Sequence, residues 1–192
     1  MSVTQQPRRR DAAATREAIL NSAIEAFTRA GYDGAGVREV AAAAGVTAML
    51  VNRYFGSKEQ LFAEVVNRSF APPTIVGDDP AELPAQIARA LVDRTDPAAA
   101  RLSPFLLMLR SAGNPRAAEI MHDAIAGHAG SRLTGLLDGA DADQRAELIL
   151  ALIAGVWLMR SVIATPALTG ADPAALTARL TVALQALSGP GH

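Results

Sequence analysis

The stretch Val37–Tyr54, VREVAAAAGVTAMLVNRY, reads as a helix, a glycine turn and a second helix. Gly45 stands where the first helix has to stop and the chain has to reverse. That step needs a positive φ, which glycine adopts without steric cost. Ala41, four residues earlier, is small enough to let two helices cross closely. Val40, Ala44, Val46 and Val51 fall where such a pair buries its inner face. Thr47, Ala48, Met49, Asn52 and Arg53 are left outward on the second helix, short or polar groups suited to base edges in a major groove.

The flanking sequence continues in helices. Thr15 is placed to cap a first helix running to about Ala30, with Ile19, Leu20, Ala23, Ile24 and Phe27 at helical spacing and Gly31 as its stop. Before it, residues 1–14 read as a flexible arm carrying Arg8, Arg9 and Arg10. The arm is read equally as a solvated tail and as a contact to a minor groove or phosphate. Ser57 and Gln60 form a capping-box pattern at the head of a further helix whose inner face is Leu61, Phe62, Val65 and Val66. The clearest break is APPTIVGDDP, residues 71–80. It separates a domain over 12–72, with its helix-turn-helix at 37–54, from a second over 75–192. In the second, helices are expected over 81–94, over 97–112 with a bend at Pro104, over 114–137 with a weak point near Gly127 and Gly130, and over 143–164. A last helix opens at Asp172-Pro173 and runs to about Leu187.

The chain has 192 residues, half of them apolar and few aromatic, with no long alternation of apolar and polar positions. An all-α fold follows, large enough for a real core. There is no cysteine, so disulfides, thiolate zinc sites and catalytic thiols are excluded. The polar, basic start lacks the apolar segment of a secretory signal. The longest apolar run, Leu148–Met159, has 12 residues, against about 20 for a membrane span. A cytoplasmic protein without membrane contact is the expectation. Net charge is −1, but residues 1–70 carry +2 and residues 71–192 carry −3, so the basic excess lies with the helix-turn-helix.

The pattern TREAIL, then AFTRAGYDGAGVREVAAAAGVT, then NRYFGSKEQLF, is spread in order over residues 15 to about 70. It resembles the DNA-binding domain of the tetracycline-repressor (TetR/AcrR) family. The resemblance implies a homodimeric regulator, usually a repressor, that binds a double-stranded operator and is released by a small molecule held in the second domain. It implies phosphate contacts by Thr15, Tyr54 and Lys58, and places Thr47, Ala48, Met49, Leu50, Asn52 and Arg53 at or beside the bases; Val37 is a further DNA-binding candidate. Two positions depart from the family pattern. Gly36 replaces the Ser or Thr that commonly caps the second helix, which removes a hydroxyl contact. Asn52 stands where an aromatic residue is common, and asparagine can pair bidentately with adenine.

Beyond the resemblance, Leu152, Val156 and Trp157 lie on a helix apolar nearly all round, which requires burial on two sides. With Leu180, Leu184 and Leu187 of the last helix they are assigned to a four-helix bundle between two subunits. Phe105, Met108, Leu109, Met121, Ile125 and Trp157 are the candidates for a largely apolar effector cavity. No metal, cofactor or enzymatic activity is expected: His122 and His128 fall on different helix faces, and no Ser-His-acid, phosphate-loop or HExxH pattern occurs. The alternative function is a dimeric helical small-molecule-binding protein that has lost specific DNA recognition.

Overall fold

A computed structural model describes residues 6–70, 79–96 and 104–189. Eleven α-helices occur among them: α1 (Gln6–Gly34), α2 (Val37–Ala43), α3 (Ala48–Phe55), α4 (Lys58–Phe70), α5 (Leu83–Arg94), α6 (Pro104–Ser111), α7 (Pro115–Ile125), α8 (Ser131–Thr134), α9 (Ala142–Trp157), α10 (Pro166–Thr169) and α11 (Pro173–Ser188). Single π-helical turns follow α7 at Ala126–Gly130 and α9 at Leu158–Val162. No strand occurs among the described residues, and no helix there is long and apolar enough to cross a membrane. Most of the 71–80 break and the start of the helix expected over 97–112 lie outside the described residues, as do residues 1–5 of the arm and the side chains of Arg8–Arg10.

The helices form two compact units. In the first, α1–α4 are joined by α6 and by α7 up to Ala124. Ile19, Leu20, Phe27, Leu61, Phe62, Val65 and Val66 are buried together there. Phe27, Tyr32 and Phe62 stack around one another, with Phe62 edge-on to both partners at 5.1 and 4.9 Å between ring centroids. The polar rim is paired: Arg16 bonds Glu64, and Arg68 holds Glu17 at 2.5 Å. The hydrogen bond from Arg68 lowers the Glu17 pKa.

The sequence assigns everything beyond residue 75 to one domain; the structure packs α6 along α1 instead. Gly31 explains why. It interrupts α1 with φ 70°, and a Cβ there would sit 2.3 Å from the Arg110 carbonyl oxygen. The bare backbone lets α6 close in. Arg110 then donates to the Thr28 and Arg29 carbonyls at 2.6 and 2.9 Å. The Tyr32 N–H donates to Ser111 Oγ at 3.1 Å, and Asn114 donates to Asp33 at 2.8 Å while its own Oδ1 caps α7. Arg116 reaches Glu59 on α4 at 3.1 Å.

Other expectations change in detail. Helix α1 begins at Gln6, well before Thr15, whose hydroxyl donates back to the Asp11 carbonyl and caps nothing. Helix α6 is described from Pro104 onward, and the bend expected there adjoins residues outside the described ones. The weak point near Gly127 and Gly130 is the first π-helical turn. The long helix of the C-terminal half ends in the second π-helical turn and then at Ala164, a non-glycine residue in the left-handed region at φ 55°.

In the second unit, α11 lies along α5 and also meets α9, and α9 packs on α8. Asp172 accepts from the Ala175 N–H at 2.8 Å, so the Asp172-Pro173 start of α11 is as read. Two arginines are buried inside. Arg160, 3% exposed, donates to the Val92 carbonyl at 2.9 Å, to Thr95 Oγ1 and to the Leu168 carbonyl at 3.1 Å. These groups end α5 and α10, so the guanidinium faces the negative poles of two helices. Arg145, 5% exposed, pairs with Asp141 at 2.9 Å and donates to the carbonyls of Ser188, Gly189 and Asp138. It ties the end of α11 to the start of α9. Arg145→Ala strands several of these acceptors and is expected to lower unfolding free energy by about 2–4 kcal/mol, measured by urea denaturation.

Candidate nucleic-acid interface

The recognition unit is built from its turn. The Val46 N–H bonds the Ala41 carbonyl at 2.9 Å and the Gly45 N–H bonds that of Ala42 at 3.1 Å. With Gly45 at φ 68°, this pair of bonds is a Schellman close to α2. Thr47 then caps α3, its Oγ1 accepting from the Leu50 N–H at 3.3 Å. At the far end the Gly56 N–H bonds the Asn52 carbonyl at 2.8 Å. Ser57 and Gln60 follow with the reciprocal bonds of a capping box, each 3.2 Å.

Between these caps α3 divides into two sides. Val51 and Phe55 are buried. Met49, Asn52 and Arg53, spaced i, i+3 and i+4, are exposed and share the opposite face. Met49 is 80% exposed. Thr47 is exposed at the cap, and Ala48, Leu50 and Tyr54 are half-buried on the flanks. Val37 is half-buried at the start of α2, whose N-cap is Gly36 without a side-chain bond.

Charge around this face is selective. Arg16 and Arg29 are paired with Glu64 and Glu39, and Arg16 also lies 4.9 Å from the Phe55 ring centroid. Lys58 sits 4.7 Å over the Tyr32 ring, a cation–π contact that holds the ammonium in place and leaves its charge intact. Burial, together with Glu59 and Asp33, raises the Tyr32 pKa, so that ring stays neutral beneath the cation. Arg38 and Arg53 are exposed and take part in no ion pair with the described residues. Arg38, on the first turn of α2, is a candidate phosphate contact that the sequence reading left out of the site. Its signal was there, a lone cation one residue inside a helix start. Thr15, assigned a phosphate contact, is half-buried on α1 with its hydroxyl bonded to the backbone.

The residues proposed for other roles are scattered. Phe105, Met108, Leu109 and Met121 belong to the first unit, Ile125 and Trp157 to the second. Met121 and Trp157 are buried, Phe105, Met108 and Ile125 half-buried, and Leu109 exposed. Leu152, Val156 and Leu187 are half-buried. Leu180 and Leu184, assigned to a contact between subunits, are 7% and 1% exposed within the single chain. They lie on the stripe of α11 already covered inside its own unit, and the assignment is corrected. His122 and His128 are both exposed.

Residues 81–187, over half the chain, match the family described as tetracyclin repressor-like, C-terminal domain, and residues 19–65 match bacterial regulatory proteins, tetR family. The chain belongs to the TetR family. Among curated relatives, the HTH-type transcriptional repressor SCO4008 of Streptomyces coelicolor is 35% identical over 83 residues. That match spans 43% of this chain and 43% of the relative, less than half the length of either. A transcriptional regulator from Rhodococcus sp. Rha1 (RHA1_ro04179) is 27% identical with a TM-score of 0.62, over 90% of this chain and 95% of that one. The multidrug binding protein EbrR, solved with proflavin, shares the fold at 21% identity and a TM-score of 0.61, over 90% and 99% of the two chains.

The cap is the accessible test of how α3 is held. Thr47→Ala removes its only side-chain bond and is expected to cost about 1 kcal/mol of stability, read as a lowered denaturant midpoint with an unchanged slope.

Proposed function

We infer that this TetR-family protein is a DNA-binding transcriptional regulator, a homodimeric repressor released by a small-molecule effector. One observation carries the reading. A short helix, capped at both ends and anchored by Val51 and Phe55, turns Met49, Asn52 and Arg53 outward with nothing of its own unit over them. Such a face fits a major groove. Arg38, Arg53 and Lys58 supply charge for phosphates. A protein that had lost DNA recognition would have no need to keep this face bare and its cations unspent.

Dimerisation is the second part of the reading. Leu148, Ala151, Gly155, Met159 and Val162 form an exposed stripe on α9 and the π-helical turn that continues it, and Ala175, Ala178, Val182 and Ala186 form one on α11. Both advance in steps of three and four, the spacing of a helix-packing seam. Two such helices from each of two subunits make a four-helix contact, and half-site reading calls for two heads about 34–36 Å apart. Leu152, Val156 and Leu187 flank these stripes. The interface therefore moves from the Leu180–Leu184 side of α11 to the Val182 side.

The effector is a largely apolar molecule, with Phe105, Met108, Leu109 and Met121 of the first unit, and separately Ile125 and Trp157 of the second, as the residues to test. EbrR, of the same fold, is a multidrug binding protein solved with proflavin. An effector that prefers a geometry in which the heads no longer fit successive grooves lowers operator affinity by its differential affinity for the two states, typically about 1–3 kcal/mol. The site of action is the cytoplasm, where the DNA is, and no catalytic step is involved.

Arg53→Ala is expected to weaken binding to a selected operator by about 1–3 kcal/mol per half-site with an unchanged melting curve. Fluorescence anisotropy of labelled duplex measures the first, and equal affinity for the two proteins sinks the reading. Val182→Glu is expected to turn a dimer into a monomer at micromolar concentration by sedimentation velocity. Leu184→Ala should instead lower stability by about 2–5 kcal/mol.

A further inference from the structure

Met49 is the most exposed large apolar side chain among the described residues. It stands at the second position of α3, on the same face as Asn52 and Arg53. Thr47 caps the helix directly beneath it, so its backbone is fixed while its side chain meets nothing. The two neighbours on that face can answer hydrogen-bonding groups. Met49 cannot: a thioether is at most a weak acceptor and offers no donor. The one apolar group that a base pair shows in the major groove is the 5-methyl of thymine.

We propose that Met49 reads a thymine methyl group in each operator half-site. The inference rests on the DNA-binding reading above and makes it specific. The thioether chain is long, unbranched and adaptable, and its burial against a methyl removes apolar surface on both sides from water. The position on α3 also limits where that thymine lies. Met49 and Arg53 are four residues apart, about 6 Å along a helix axis. Base pairs repeat every 3.4 Å or so. A thymine read by Met49 therefore falls within about two base-pair steps of the base or phosphate gripped by Arg53, and Asn52 reaches the interval between them.

The test uses the full chain and a duplex selected by it from a random library. Each thymine of one half-site is replaced singly by deoxyuridine, which removes the methyl and leaves all hydrogen-bonding groups. Affinities are measured for the parent, Met49→Ala and Met49→Leu. The expected result is one thymine whose replacement weakens the parent about fourfold, the worth of one buried methyl group. Met49→Ala should be indifferent to that replacement, and Met49→Leu should keep part of the effect. The position should lie within about two base pairs of the one at which Arg53→Ala loses discrimination. Melting curves of the three proteins should coincide, since the side chain packs on nothing. If parent and Met49→Ala respond alike at every thymine, the proposal is overturned and the DNA-binding reading stands. If no duplex is enriched or retained by the parent, both fall.

Discussion

The geometry of α3 depends on one hydrogen bond, from the Val46 N–H to the carbonyl of Ala41. It spans the left-handed residue Gly45 and ends α2 at the point where its last orphan carbonyls would otherwise need water. Because the bond sets the direction of the chain after α2, it decides which side of α3 is buried through Val51 and Phe55 and which side is left over. The outward face of Met49, Asn52 and Arg53 has no packing to hold it. Its geometry is inherited from the turn, from Thr47, and from the buried Val51 and Phe55. A surface meant to match base edges gains from such inheritance, because a side chain on a rigid backbone loses little freedom when it binds.

The arginines show how little net charge says. Overall the chain is nearly neutral, yet its cations have separate tasks. Arg16, Arg29, Arg68 and Arg116 are paired with carboxylates at the rim of the first unit. Arg145 and Arg160 are sunk in the second unit and spend most of their donors on carbonyls. Planar guanidinium groups suit that work, since one side chain can satisfy several acceptors at fixed angles. Arg38 and Arg53 remain unengaged on the surface that faces outward around α3. On the proposed reading it is these unspent cations, more than the basic excess of residues 1–70, that serve phosphate.

Much of this was legible in the residues. Gly45 and Gly31 announced backbone that only glycine adopts easily. Ser57 with Gln60, and Asp172 with Pro173, announced helix starts. The face of α3 followed from a three-and-four spacing. What escaped was every feature set by a neighbour remote in sequence. Thr15 has the chemistry of a cap, but a helix that starts at Gln6 leaves it mid-helix, where its hydroxyl bonds the preceding turn. The burial of Arg145 and Arg160 has no local signal, because nothing nearby in sequence says that helix ends from elsewhere will surround them. The placement of α6 with the N-terminal helices hinges on a close approach to Gly31 made 79 residues away.

Periodicity determines which positions of a helix share a side, because 3.6 residues per turn is a property of the chain alone. It thereby determined most of the helices and the outward set on α3. It does not say which of two apolar sides is covered by the same chain, because that depends on where the other helices arrive. On α11 periodicity picked out the Leu180–Leu184 side, and only the packing along α5 decided that these leucines are covered within the single chain while Val182 stays exposed.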